Sequence, residues 1–290
     1  MVIQYNGQMI DLDKVVAGAK EAKPTKPSTI IRTFTAELLV LEGLTANVNV
    51  KPGTDADIHL EATGDASALE GLDFVKSDRD RTLTVKTKPG ANGVTFIGSG
   101  FGGIFGGSGN TCINIGRNNS VVQICGNNRR NIIQTDGMTI ISGDSKNQLT
   151  LEIMVPKGTA ITVDGCCGKT TLGAIDGDLS AYVTGDGNIT AAKVKKLVAK
   201  ISGSGSVKVD HVDGDARLTV SGQGDIRVNH GKIGDLEAKV SGQGGIRLNA
   251  EVQDADLAIS GMGDIYVQTV KHRLRQRKSG MGSIKVANQR

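Results

Sequence analysis

From residue 148 onward the chain repeats itself, and the period leaves few folds open. A hydroxyl residue followed by glycine recurs at Thr184, Ser202, Ser221, Ser241, Ser260 and Ser279, at intervals of 18, 19, 20, 19 and 19 residues. Apolar residues hold the same phase. Five, three and one positions before the marker stand sets such as Leu236, Ala238 and Val240, and five and seven positions after it stand pairs such as Ile226 and Val228. A further apolar residue follows ten to twelve positions after the marker, at Val194, Val212, Ile233, Val252 and Val270.

Alternation with a period of two sends one set of side chains inward. A repeat of this length cannot hold two strands and a crossover helix, so each unit must stack on its neighbours to bury that set. Each repeat therefore predicts two strands, a short third side and a glycine corner. The fold expected is all-β, a parallel β-solenoid of about 19-residue coils. At strand spacings of roughly 4.8 Å, six or so coils give a rod of about 30 Å.

The near-identical octapeptides "SGQGDIRV" (221–228) and "SGQGGIRL" (241–248) sit at the corner. The paired glycines Gly203/Gly205, Gly222/Gly224, Gly242/Gly244, Gly261/Gly263 and Gly280/Gly282 are expected to be architectural. A corner there is read as needing backbone angles that a Cβ would forbid. Composition agrees with such a build. With 40 glycines, no tryptophan and 3% aromatic residues, the core must come from Val, Ile, Leu and Ala, and glycine serves geometry.

Ahead of the repeats the organisation differs. Residues 1–29 read as an N-terminal segment ending in the linker "KEAKPTKPS". Residues 30–147 read as a β-rich part with half-buried strands at "NVNV", "DIHLEA" and "RTLTVKT", and with a short helical turn between the latter two. Within it, residues 90–147 form a Gly/Asn-rich insertion with short strand-like pieces. Residues 148–290 are the solenoid repeats.

At this point the chain resembles the GIN-domain family, labelled "putative auto-transporter adhesin, head GIN domain" and found mainly in bacteria. The resemblance rests on the repeated "SGxGxIxV", on "LEIMVP" (151–156) just before the repeats, and on "NVNVKPG", "DIHLEATGD" and "LTVKT" in that order. It covers residues 30–88 and 148–290. It implies a right-handed parallel β-helix and a surface or adhesive role, and it brings no catalytic residues and no cofactor.

Several motifs have blander readings. A calcium repeat of the GGxGxDxUx kind needs aspartate at position six, whereas Asp225 and Asp264 fall at position five and isoleucine follows. "VDGCCGKT" (163–170) looks like a phosphate loop, but Val163 stands where the first glycine belongs and no amphipathic helix follows. "GSGFGG" (98–103) lacks the strand–turn–helix unit of a dinucleotide site. The four cysteines match neither a disulfide framework nor a zinc pattern; reduced thiols are expected at Cys112, Cys125, Cys166 and Cys167, with a Cys112–Cys125 bridge as the alternative. No metal or cofactor is expected.

The net charge of +4 is too mild to argue for nucleic acid. The sharpest charge feature is "KHRLRQRK" (271–278), where Gln276 and Lys278 occupy phases held elsewhere by Leu- or Val-type residues. Lys271, Arg273, Arg275, Arg277 and Lys278 are read as a polar cap that stops further stacking, the alternative being a contact for a polyanion or other partner. The N-terminus shows neither a basic region leading into an apolar core nor a membrane-length apolar run, which reads as cytoplasmic, or as cell-surface if a leader was removed.

The function expected is a non-enzymatic module that presents a repetitive surface to a protein partner or to copies of itself. Two alternatives stand beside it. One is polyanion binding, to nucleic acid or an acidic surface, through the basic terminal coil. The other is a β-helical carbohydrate-active enzyme, against which the lack of tryptophan and the presence of only Tyr5, Tyr182 and Tyr266 argue.

Overall fold

The structure is a computed structural model that describes residues 27–88 and 149–290. It also describes the backbone of short strands at 2–5, 8–11, 94–98, 112–113, 122–123, 132–135 and 138–142. The described chain is nearly all β and forms a β-solenoid of about 7 turns. The repeat dictates this outcome position by position. On the side after the corner, Val207, Ile226, Ile246, Ile265 and Ile284 lie in direct parallel register, one per coil. On the side before it, Val163, Ala181, Ala199, Leu218, Ala238 and Leu257 form an equivalent column.

Both columns are buried up to the last coil, as are Val194, Val212, Ile233, Val252 and Val270 on the third side. All belong to one continuous core. Each fully buried Val, Ile or Leu contributes about 1.5–3 kcal/mol relative to exposure, so the rod is held together by the summed columns rather than by any one contact.

The rod begins earlier in sequence than the 19-residue repeat. Leu38–Glu42 and Asn47–Pro52, joined at Gly43, form a coil of their own. Leu38–Glu42 pairs in parallel with Ala160–Asp164. Asn47–Pro52 pairs in parallel with the strand Lys169–Ala174. Above this coil the parallel pattern stops. Thr82–Thr87 still runs parallel to Leu38–Glu42, but Leu72–Ser77 folds back antiparallel on it.

On the other side Thr150–Val155 is parallel to Asn47–Pro52, and Ile58–Gly64 and Ser28–Phe34 follow antiparallel. A five-residue helix, α1 (Ala66–Glu70), connects the two hairpin layers. Phe34 and Phe74 stack at a centroid distance of 5.9 Å. This end of the rod is therefore closed by strands of opposite direction, which blunts the parallel edge.

Of the insertion, the described strands form their own small antiparallel sheets, one of 94–98, 138–142 and 132–135 and one of 112–113 and 122–123. Most of the glycine tract at 98–110, including nearly all of "GSGFGG", and the side chains of Cys112 and Cys125 lie outside the described residues.

Candidate interaction surface

The corners come first, because they fix how closely coils approach. The left-handed backbone expected there is not found at any of the ten corner glycines. Gly203, Gly205, Gly222, Gly224, Gly242, Gly244, Gly261, Gly263, Gly280 and Gly282 all lie outside that region, and positive φ among the described glycines occurs instead at Gly43, Gly158, Gly165, Gly168 and Gly231. The expectation is corrected on its physical cause: glycine serves these corners by letting coils stack closely.

The first glycine of each pair shows this at Gly242. A Cβ there would fall against the Gly222 carbonyl oxygen and within 2.7 Å of the Ser221 carbonyl group, closer than the 3.0 Å that Cβ atoms keep. The second glycine of each pair is under the same constraint. A Cβ on Gly205 would strike the Gly187 carbonyl oxygen, one on Gly224 the Gly205 carbonyl oxygen, and one on Gly282 the Gly263 carbonyl oxygen. The space is taken up by backbone hydrogen bonding. The Gly222 carbonyl accepts from both the Gln243 amide (3.0 Å) and the Gly244 amide (3.2 Å), and the Gly242 carbonyl accepts from Met262 (3.0 Å) and Gly263 (3.2 Å). Each corner is thus a backbone ladder between successive coils.

The aspartates beside the corners and turns have similar local work. Asp225 accepts from the Gly245 amide at 2.8 Å, and Asp264 accepts from both the amide and hydroxyl of Ser283 at 2.7 Å. Those bonds hold the Asp264 carboxyl below its ordinary range. Asp215, just before the strand Ala216–Val220, and Asp254, within the strand Ile246–Ile259, accept from the amides of Asp235 and Arg273. Each carboxylate satisfies a donor of the next coil. No group of three or more His, Cys, Asp or Glu capable of holding a metal occurs among the described residues.

The phosphate-loop look-alike resolves in the same way. Gly165 and Gly168 carry positive φ (59° and 112°), and Lys169 begins a strand rather than a helix. Cys166 is buried in the core beside this corner, with its thiol donating to the Leu41 carbonyl at 3.5 Å. Burial pushes that thiol up to about 12.

The basic terminal coil occupies the last rung of the side before the corner. Leu274–Lys278 pairs in parallel with Ala255–Ile259, setting Gln276 on Leu257 and Lys278 on Ile259. Three of its five cations turn back onto acids of the preceding coil. Lys271 meets Glu251 at 2.7 Å, Arg273 meets Asp254 at 3.8 Å, and Arg277 meets Asp256 at 2.9 Å. Arg275 and Lys278 make no ion pair among the described residues. A second basic run, at 193–196, is likewise engaged. Lys193 bridges Asp176 (3.3 Å) and Asp213 (3.5 Å), and Lys196 lies 3.8 Å from Asp215.

The sequence reading missed a different set. On the side after the corner, Lys208, Arg227, Arg247, Tyr266 and Lys285 share one outward register, coil upon coil. Each is six residues after its serine marker, so the signal lay in the repeat itself, in the column of outward positions rather than in any local run of charge.

A stack of backbone-packed coils with solvent-facing columns of side chains is a repeat scaffold whose flat sides present the same outward position once per coil. The chain belongs to the family described as "Putative auto-transporter adhesin, head GIN domain", whose model matches residues 40–289. Two solved structures resemble it in fold. A putative adhesin from Bacteroides fragilis matches with a TM-score of 0.53 and 20% identity, covering 91% of this chain and 98% of that one. A putative lipid binding protein from Parabacteroides distasonis matches with a TM-score of 0.53 and 16% identity, covering 91% and 96%. At such identities the likeness is one of fold. No curated protein matches the chain in sequence. Among the described residues, no helix is long and apolar enough to cross a membrane.

Proposed function

We propose that the chain is a non-enzymatic interaction module whose flat solenoid sides bind other molecules, in the manner its family description suggests for adhesin heads. The observation that carries this reading is the outward face itself. About seven coils in fixed register repeat each solvent-facing position along the rod, giving extended rows suited to an extended or repetitive partner. The family description, which speaks of auto-transporter heads, supports a surface or secreted setting over the cytoplasmic one read from the N-terminus.

The experiment is attachment. Beads coated with the full chain should be retained on cell surfaces, and excess soluble chain should compete. Retention no better than that of beads coated with an unrelated protein would overturn the reading.

The terminal coil serves, in this proposal, as a cap. Lys278 and Gln276 set a charge and an amide on core columns that would otherwise continue as Ile and Leu, and like charges at the rod end oppose stacking by a second copy. Converting Lys271, Arg273, Arg275, Arg277 and Lys278 to Gln should leave attachment unchanged and increase end-to-end association in sedimentation velocity. Loss of attachment in that variant, with the fold intact, would make the coil a partner site instead.

A further inference from the structure

The two flat sides of the rod treat their charges differently. On the side before the corner, Arg217, Lys239 and Arg277 are answered within the sheet, while Lys200 and Arg275 make no ion pair among the described residues. Arg217 bonds Glu237 at 2.7 Å, Lys239 pairs with the same carboxylate, and Arg277 pairs with Asp256. On the side after the corner, Lys208, Arg227, Arg247 and Lys285 are exposed, and none takes part in an ion pair among the described residues. Their coils are in direct register, so the row from Lys208 to Lys285 runs straight along the rod over four coil steps, about 19 Å at ~4.8 Å per step. The fourth of its five positions is Tyr266. Its half-buried ring lies under the Arg247 guanidinium at 4.9 Å, a cation–π contact that restrains that cation.

The columns on either side of the row differ. One carries Asp225 and Asp264, whose carboxylates are occupied by donors of the next coil. The other carries Asp210, which accepts from the Asn229 side chain at 3.0 Å, and then the amides Asn229, Asn249 and Gln268, which with His230 and Tyr266 line a shallow open depression. A second depression, lined by Arg227, Arg247, Tyr266 and Lys285 together with Asp225 and Asp264, adjoins it at Tyr266. Four like charges in one file, none of them ion-paired among the described residues and with the flanking Asp210, Asp225 and Asp264 turned to donors of neighbouring coils, raise the local positive potential, and a ligand of opposite sign would relieve it.

We propose that this row is a binding site for a linear acidic polysaccharide, a chain bearing carboxylates or sulfates, laid along the rod axis. The row is straight, and its pitch is comparable to one sugar residue of an extended chain. Cations at that pitch suit one acidic group per sugar or per pair of sugars. The adjoining amides supply donors and acceptors for the ring hydroxyls. Nucleic acid fits less well. Duplex DNA carries a charge about every 1.7 Å, about three times the density of one cation per coil at ~4.8 Å, so the row would leave most of its phosphates unanswered. Single strands are held by aromatic stacking platforms, whereas the row offers one ring, already covered by Arg247.

The proposal rests on the reading of the chain as an interaction module and adds the ligand class. It is tested on the full chain by affinity electrophoresis and biolayer interferometry. The probes are polygalacturonate for carboxylates, heparin for sulfates, neutral dextran, and single- and double-stranded DNA. Wild type should bind at least one acidic polysaccharide more tightly than DNA and should ignore dextran. With three or four cations engaged, a fourfold rise in salt should weaken binding roughly 20- to 150-fold.

Lys208→Gln, Arg227→Gln, Arg247→Gln and Lys285→Gln combined should abolish binding with the thermal midpoint retained. Arg227→Lys with Arg247→Lys should keep most of it. Indifference to both acidic polysaccharides, preference for DNA, or undiminished binding by the Gln variant would overturn the site. Attachment to cells without polysaccharide binding would refute this inference alone and leave the proposed function standing.

Discussion

The stacking account of the corner glycines makes a demand that a conformational account reverses. Consider Gly242→Ala. Its backbone lies outside the left-handed region, so an alanine would meet no dihedral penalty and would lower the entropy of the unfolded chain, a gain of about 0.4–1 kcal/mol where space allows. Space does not allow it. The new methyl would press on the Gly222 carbonyl oxygen and on the Ser221 carbonyl group at 2.7 Å, and neither is the movable end of a side chain.

Relieving the clash means parting the two corners, which weakens the bonds that Gln243 and Gly244 donate to Gly222 at 3.0 and 3.2 Å. Two such bonds at about 1 kcal/mol each, with about 1–3 kcal/mol for overpacking and less the entropic gain, give a net loss of roughly 3 kcal/mol. Gly158→Ala is the contrast. Gly158 has φ of +84° and nothing within 4 Å of the place a methyl would take, so its cost is the left-handed penalty alone, roughly 1–2 kcal/mol.

Urea unfolding by circular dichroism compares the two variants. Amide exchange at 241–244 locates the loss, because stacked repeats need not unfold as one unit. If Gly158→Ala proved the more destabilising, or if Gly242→Ala were neutral, the stacking argument would fail.

Leu257→Ala, in a fully buried column, should cost about 2–5 kcal/mol, whereas Leu274→Ala in the half-buried last coil should cost clearly less; equal losses would contradict a core that ends, on the side before the corner, at Ile259. The Asp264 carboxyl is held below its unfolded value by Ser283. Its contribution to the last coil is therefore complete above the ordinary aspartate range, near pH 4, and is lost as pH falls through the depressed folded value. The Ser283 amide resonance should titrate with a midpoint below that range and stop responding in Asp264→Asn. Cys166, with its thiol pushed up to about 12 by burial, should resist iodoacetamide at pH 8 until the rod is unfolded, as read by peptide mass spectrometry; rapid native labelling would place it outside the core.

The sequence by itself determined the period, the direction in which each side chain points, and hence the stacked coils, because a two-residue alternation repeated every 19 residues has only one economical way to bury its apolar half. It marked Ile226, Ile246 and Ile265 as one column, and they are one. It could not show why the corners are glycine. Positive φ and close approach both select glycine, and only the distance between the Gly222 carbonyl and the next coil separates them. Nor could it show that "NVNV" stacks directly on Lys169–Ala174, since more than a hundred residues lie between them and no repeat length joins them.

Charge was the least legible property. "KHRLRQRK" stands out in the linear chain, yet three of its cations are answered by Glu251, Asp254 and Asp256 one coil away. Lys208, Arg227, Arg247 and Lys285 look unremarkable, being about 19 or more residues apart, and become a row only once the coils stack. Which charges are neutralised depends on neighbours across the sheet, and in a solenoid those neighbours are set by register, which is a property of the folded rod.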